Sequence, residues 1–175
     1  MEQNITSATT KGVVIALILI ILELATYFAN IEINGPARWL AFAVFIGGII
    51  WAVYSYGKQL NYNSTFGNYF AHGFKVAALI TAIMIIYIII FIVLFPDFKE
   101  KALDEARIAM RKNSKLTEAE MTQAMELSRK FFMIALVGAT LLRYIIAGAL
   151  CALIGAAVTK KQPGKFVGDI NQTPT

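Results

Sequence analysis

Four long apolar runs dominate this chain and limit what it can fold into. They cover approximately residues 12–28, 37–56, 71–95 and 131–158 and contain very few charged side chains. A helix needs about 20 mostly apolar residues, at ~1.5 Å rise each, to cross the ~30 Å hydrocarbon layer of a membrane. The pattern therefore predicts an integral membrane protein with four spans.

The spans are predicted to be helices, because a backbone inside lipid must satisfy its hydrogen bonds internally. A closed β-barrel would need many alternating segments of about ten residues, and the chain has none. We therefore expect an all-α fold, an integral membrane four-helix bundle. Residues 12–159 would form one membrane domain, between an N-terminal tail at 1–11 and a flexible basic tail at 160–175.

Composition supports a membrane location. Charged residues make up only 15% of the chain and hydrophobic residues 58%, whereas a soluble domain has about a quarter charged residues. The formal net charge of +5 would suit nucleic acid only if the basic residues formed one stripe. They instead lie at span ends and in one mixed-charge loop, so we expect the lipid bilayer and no nucleic acid as a partner.

Basic residues near the span ends predict the side on which the termini lie. Lysine and arginine favour the cytoplasmic side of short loops. The run KKQPGK at 160–165 directly follows the fourth span, and Lys11 and Lys58 would lie on the same side of the membrane. We therefore expect both termini in the cytoplasm.

The segment 96–130, between spans three and four, is the only sizeable extramembrane part. Apolar residues recur in it at helical spacing, with charges between them. Thr117 and Glu120 have the spacing of a capping box, and no proline separates that helix start from span four. The segment is predicted to be a helical hairpin that turns near Asn113–Lys115. We interpret it as a connector that packs on itself; a docking surface for a partner is the alternative.

Two ionisable residues lie near the centre of predicted spans. Glu23 is ~16 Å from the start of span one and Arg143 ~18 Å from the start of span four, at the helical rise per residue. An unpaired charge at that depth costs about 2.5–3.5 kcal/mol on insertion scales. Because the two depths nearly coincide, we predict an intramembrane ion pair between Glu23 and Arg143 that faces the bundle interior.

Three interpretations of this pair stay open. The pair could fix the register of the helices, which is the interpretation we prefer. It could instead line a polar path or a proton relay, although the spans offer few other polar groups. In the third interpretation Glu23 is protonated and Arg143 is paired elsewhere.

His72 and Lys75 lie close to the predicted start of span three. Lys75 can extend its ammonium group to the interface, and His72 is predicted to be an interfacial polar residue. A single histidine cannot build a metal site. The single cysteine, Cys151, cannot form a disulfide within the chain. We expect no metal and no cofactor.

Small residues recur at every fourth position in span four, which favours close helix contact. They form two rows: Ala147, Cys151 and Gly155 in one, and Gly148, Ala152 and Ala156 in the other. Gly47 and Gly48 in span two are the expected counterpart within the chain. The pattern does not distinguish contact inside one chain from contact between chains.

The most individual stretches are FGNYFAHGFKVAALI at 66–80 and LFPDFKEKALDEA at 94–106. Their motifs are Phe66–Gly67, Phe70, Gly73–Phe74 and Pro96–Phe98. With these motifs the chain resembles a bacterial family of four-span membrane proteins, domain of unknown function 4199, found chiefly in the Bacteroidota. The resemblance implies a bacterial inner (cytoplasmic) membrane location and supplies no activity or catalytic residue.

No sequence motif indicates a reaction. The chain has no glycine-rich phosphate loop, no G-x-S-x-G and no H-E-x-x-H, so we expect no enzyme and no catalytic residue. The leading interpretation is a non-catalytic accessory, scaffolding or interaction subunit. Its protein partner would be a second copy or another membrane protein, bound through span four or the 96–130 hairpin. The alternative is a small oligomeric transport or permeation protein that uses Glu23 and Arg143.

Overall fold

The computed structural model describes residues 6–29, 36–113 and 117–160, and the regular structure in those residues is entirely helical. The five helices are α1 (Ala8–Phe28), α2 (Pro36–Gln59), α3 (Phe66–Leu94), α4 (Pro96–Asn113) and α5 (Glu118–Lys160). All but α4 are long and apolar enough to cross a membrane. The expected all-α bundle of four long apolar helices is confirmed.

Local capping explains where the first and third helices begin. The Ser7 side chain accepts a hydrogen bond from the backbone N–H of Thr10, and that of Thr65 accepts one from the N–H of Asn68. Such side chains satisfy backbone donors that have no partner inside the helix. Thr65 starts α3 at Phe66, earlier than the predicted span start at residue 71.

The helix α3 lies at the centre of the bundle and contacts each of the other four helices, whereas α1 packs on α2 and α3 but does not contact α5. Gly73 of α3 lies where three helices meet. A Cβ at Gly73 would touch Val53 of α2 and Ala152 of α5. The core is built from side chains of all four long helices, with Leu19, Ile49, Ile80 and Ala152 fully buried.

An aromatic cluster joins α4 to the bundle. The chain leaves helical geometry at Phe95 and resumes it at Pro96, because proline cannot donate the backbone hydrogen bond that would continue α3. The ring of Tyr27 at the end of α1 lies 5.0 Å from those of Phe91 and Phe95 and 6.5 Å from that of Phe98. The aromatic rings therefore fix the position of α4 although the helix is interrupted.

The helices α4 and α5 form the predicted hairpin. Arg129 donates a hydrogen bond of 2.6 Å to Glu100, and Leu103 and Met121 are buried between the two helices. The helix α5 is continuous over 43 residues, or ~64 Å, so its first part projects beyond the membrane. Residues 114–116, where the turn was predicted, lie outside the described residues.

The start of α5 has the reciprocal hydrogen bonds of a capping box. The backbone N–H of Thr117 donates to the Glu120 carboxylate at 2.8 Å, and the N–H of Glu120 donates to the Thr117 hydroxyl at 3.4 Å. The Thr117 N–H and the Thr117 hydroxyl, which donates at 2.7 Å, both bond the Glu120 carboxylate. They favour its charged form, and the bond from the N–H contributes most to lowering the pKa of Glu120 below its ordinary value.

We expect replacement of Thr117 by alanine to fray the first turn of α5, because one capping acceptor is lost. Amide hydrogen exchange should show lower protection at Glu120 and Met121. A folded-state pKa below the unfolded one stabilises the turn at neutral pH, and this contribution disappears as the pH falls through the lowered pKa. The matched control is Thr122→Ala, because the Thr122 hydroxyl donates to the Glu118 carbonyl and does not cap the helix. Equal loss of protection in both variants would contradict the capping role of Thr117.

Candidate functional site

Four helices contribute to a buried polar cluster at the end of the bundle where α1 and α3 begin and α2 and α5 end. We call it the terminal polar cluster. Its members are Lys11, Tyr56, Tyr69, His72 and Thr159. The two residues from α3 are three positions apart and therefore share one helix face.

Lys11 is the buried cation of this cluster. Its side chain is only 3% exposed, and its Nζ donates a hydrogen bond of 3.1 Å to the carbonyl oxygen of Ala52. The Nζ also lies 5.9 Å from the centre of the Tyr56 ring, a cation–π contact. Within the described part of the chain, Lys11 forms no ion pair.

Three buried polar atoms of the cluster have no hydrogen-bond partner. They are Tyr69 Oη, His72 Nε2 and Thr159 Oγ1. The Tyr69 hydroxyl faces the backbone N–H of Ser64 without reaching hydrogen-bond geometry. Buried polar atoms of folded proteins are nearly always paired, so three unpaired atoms in one cluster are unusual.

His72, which was predicted to be an interfacial polar residue, is buried inside the bundle. The side chain is 8% exposed, and its ring stacks on that of Tyr56 at 3.9 Å with 5° between the planes. His72 lies in the second turn of α3, because the helix begins at Phe66 and not at residue 71. Lys75 is exposed.

The predicted ion pair between Glu23 and Arg143 is not formed. Among the described residues no nitrogen of Arg143 lies within 4.0 Å of a Glu23 oxygen, although the two charges interact electrostatically over a longer distance. Glu23 is half-buried, and Arg143 is exposed on α5. The physical reason is the packing order: α1 and α5 are not neighbours, so equal depth does not bring the two side chains into contact.

Two tyrosines complete the polar group at mid-depth. The Arg143 guanidinium lies over the ring of Tyr144, 5.2 Å from its centre. Tyr144 is buried and packs edge-to-face on Phe45 of α2 at 4.8 Å. Tyr87 of α3 also interacts electrostatically with Glu23.

The small residues of α5 face α2 and α3. A Cβ at Gly148 would lie 2.6 Å from Ala77 Cβ, and one at Gly155 would lie 3.1 Å from Val53 Cβ. Cys151, Ala152 and Ala156 are buried with them, and Ala147 is half-buried.

The predicted counterpart for this face was wrong. A Cβ at Gly48 would meet Ile15 of α1, and one at Gly47 would meet nothing within 4 Å. The actual counterpart is Gly73 and Ala77 of α3. Gly73 and Ala77 are four positions apart, like the small residues of α5. This spacing in the sequence could have identified α3 as the helix that packs on them.

The geometry of the four long helices, with a buried polar cluster at one end and a helical hairpin at the other, is that of a multi-pass membrane helical bundle. A family profile described as "Protein of unknown function (DUF4199)" matches residues 10–161. The chain belongs to this family. The match includes both polar groups and all four spans. Comparison with curated proteins and with solved structures gives no match.

Proposed function

We propose that the protein is a non-catalytic subunit of a bacterial inner-membrane complex and that it acts by binding another membrane protein. Both termini would lie in the cytoplasm. The proposal that it is not an enzyme is supported by the sequence, which has no recognisable catalytic motif.

One observation carries this proposal: Arg143 lies on the outward face of α5. Around it are apolar side chains that face away from the bundle; Leu142 is 60% exposed, Ile146 58% and Leu150 56%. Within the described chain, the guanidinium contacts the ring of its neighbour Tyr144 and makes no ion pair.

Arg143 cannot easily reach water from this position. It lies ~18 Å along the helix from Phe131, which is farther than an arginine side chain extends. A charge exposed to the centre of a bilayer costs about 2.5–3.5 kcal/mol on insertion scales. The electrostatically complementary partner is a membrane helix with an aspartate or glutamate at the same depth, which would accept charge-assisted hydrogen bonds from the guanidinium.

The arrangement of the core argues against the transport alternative. The terminal polar cluster and Glu23 are separated by twelve positions along α1, or ~18 Å. Between them lies a tightly packed apolar layer of residues that are at most 4% exposed. In the described chain this layer interrupts any polar path between the two groups. Its members include Ile15, Leu19, Ile49, Ile80 and Ala152.

The test is capture of the partner by crosslinking in native membranes. We expect a membrane protein with a mid-span carboxylate to be captured by the wild type and at least about tenfold less by Arg143→Gln, since a charge-assisted contact is lost. Charge reversal provides the specific control: Arg143→Glu should fail, and a partner whose carboxylate is changed to arginine should restore capture. The variant Ile146→Ala, on the same face, should behave as the wild type.

Two results would contradict the proposal. The first is equal capture by the wild type and Arg143→Gln. The second is an ion or proton flux through reconstituted protein that disappears in Glu23→Gln, which would favour transport. Capture of a second copy in place of a different protein would overturn the choice of partner.

A further inference from the structure

We propose that the terminal polar cluster binds a phosphate group, either of an anionic lipid headgroup or of free phosphate. This site is distinct from the face around Arg143 and does not depend on the proposed partner. The unused hydrogen-bonding groups of the cluster, its charge and the packing of its members support binding of such a group.

The buried ammonium group of Lys11 has unused hydrogen-bonding capacity and, among the residues that the structure describes, no counter-ion. It can donate three hydrogen bonds, and it makes one, to the carbonyl oxygen of Ala52. Buried charges in proteins are normally paired, but none of the described carboxylates pairs with Lys11. The site therefore has the charge that an anion requires.

The unpaired atoms of the cluster supply further groups for an anion. The hydroxyls of Tyr69 and Thr159 can each donate a hydrogen bond, and so can His72 Nε2 in the tautomer that protonates it. Phosphate has several acceptor oxygens and could therefore accept hydrogen bonds from more than one of these donors.

The packing at Gly57 brings the two hydroxyl-bearing side chains together. A Cβ at Gly57 would overlap the Thr159 methyl group and lie 3.5 Å from Tyr69 Cε1. Because Gly57 has no side chain, Thr159 and Tyr69 can both pack against its backbone. On α3, His72 is one turn after Tyr69, and it interacts electrostatically with Lys11, which completes the cluster from the side of α1.

The surrounding charge is uniformly positive. Segments 6–12, 52–76 and 155–160, which form this end of the bundle, contain four lysines and no aspartate or glutamate. Lys58, Lys75 and Lys160 are exposed around the buried Lys11. Basic pockets between membrane helices are suited to anionic lipid headgroups, so this face favours an anion over a zwitterion.

In this structure the cluster is closed, since its unpaired atoms are inaccessible. Among the described residues, hydrogen bonds link the helix ends around the cluster: Gln59 bonds Thr6, and Lys160 donates to the Ser64 carbonyl oxygen at 3.3 Å. Binding therefore requires these helix ends to separate and expose the donors. An unpaired buried hydroxyl destabilises the closed form, so removing it should stabilise the free protein while weakening the binding of phosphate.

The experiment measures thermal unfolding of the purified full chain in neutral detergent, because a ligand of the folded state raises Tm. Phosphatidylglycerol should raise Tm more than phosphatidylcholine, and titration should give an affinity. The variants Tyr69→Phe and Thr159→Val should each raise the Tm of the free protein, yet bind phosphatidylglycerol about tenfold more weakly. Lys11→Met should abolish the response to the lipid.

Matched controls distinguish the site from general attraction between charges. Lys58→Met removes an exposed lysine on the same face, and Tyr62→Phe removes the hydroxyl of a half-buried tyrosine that is not a member of the cluster. Both variants should keep the response. A separate titration with inorganic phosphate identifies the source: a similar Tm increase assigns the site to free phosphate, and none assigns it to the lipid. An unchanged response in Tyr69→Phe, or an equal loss in Lys58→Met and Lys11→Met, would overturn the proposal.

Discussion

Replacement of Gly148 by alanine is expected to lower the thermal stability of the bundle, whereas the same replacement at Gly138 should raise it. A Cβ at Gly148 would lie 2.6 Å from Ala77 Cβ, while one at Gly138 would have no neighbour within 4 Å. Overpacking costs about 1–3 kcal/mol, and alanine gains about 0.5–1 kcal/mol over glycine in a helix interior. The two changes on one helix should therefore have opposite signs in a Tm measurement.

A second replacement tests whether the contact with Ala77 is responsible. In the double variant Gly148→Ala with Ala77→Gly, the small residue is exchanged between α5 and α3, and the nearest remaining atom of residue 77 is its Cα at 3.8 Å. Much of the lost stability should return. A Gly148→Ala variant as stable as Gly138→Ala would show that α3 and α5 are not in close contact at this position.

Replacement of Glu23 by glutamine is the other change with a large expected effect. Glu23 interacts electrostatically with Arg143 over a distance longer than that of an ion pair, and its replacement by a neutral side chain removes this attraction. The expected loss is below the ~2.5–3.5 kcal/mol insertion penalty of a mid-span arginine, because the two groups are not in direct contact. Thermal unfolding of the purified protein provides the measurement.

The double variant of Glu23→Gln and Arg143→Gln separates an electrostatic role from simple packing. If the charges attract each other, the loss in the double variant should be smaller than the sum of the single losses, by about 0.5–3 kcal/mol. Strict additivity would contradict the interaction. Because this cycle uses purified protein, its outcome is independent of the crosslinking test for a membrane partner.

The helices of this fold could be predicted from the sequence much better than the contacts between them. Hydropathy and run length identify the four long helices, and the absence of proline after Thr117 predicts that the start of α5 continues into span four. Depth along a helix was calculated from residue number alone, and the structure shows that Glu23 and Arg143 interact electrostatically without forming an ion pair. Which helices touch depends on interhelical packing, and a pattern of residue types within one helix does not contain that information.

The terminal polar cluster could not be predicted for a related reason. A span start placed at residue 71 puts His72 at the interface, where a polar side chain needs no explanation. In the structure, Thr65 caps α3 and the helix begins at Phe66, more than one turn before the predicted start. Tyr69 and His72 therefore belong to α3, and both are buried in the bundle. The sequence signal for the earlier helix start was Thr65, a residue type that caps helices, followed by an aromatic-rich segment. Hydropathy alone does not detect such a cap.

The continuity of α5 has a mechanical consequence. Residues 118 to 143 belong to one uninterrupted helix, so about 37 Å of continuous helix connects Arg143 with the capped start of α5. The Glu100–Arg129 bond couples α4 to this helix, while the rings around Tyr27 hold the base of α4 in place. A rotation of α5 about its axis near Arg143 would therefore also rotate the part of α5 that belongs to the hairpin.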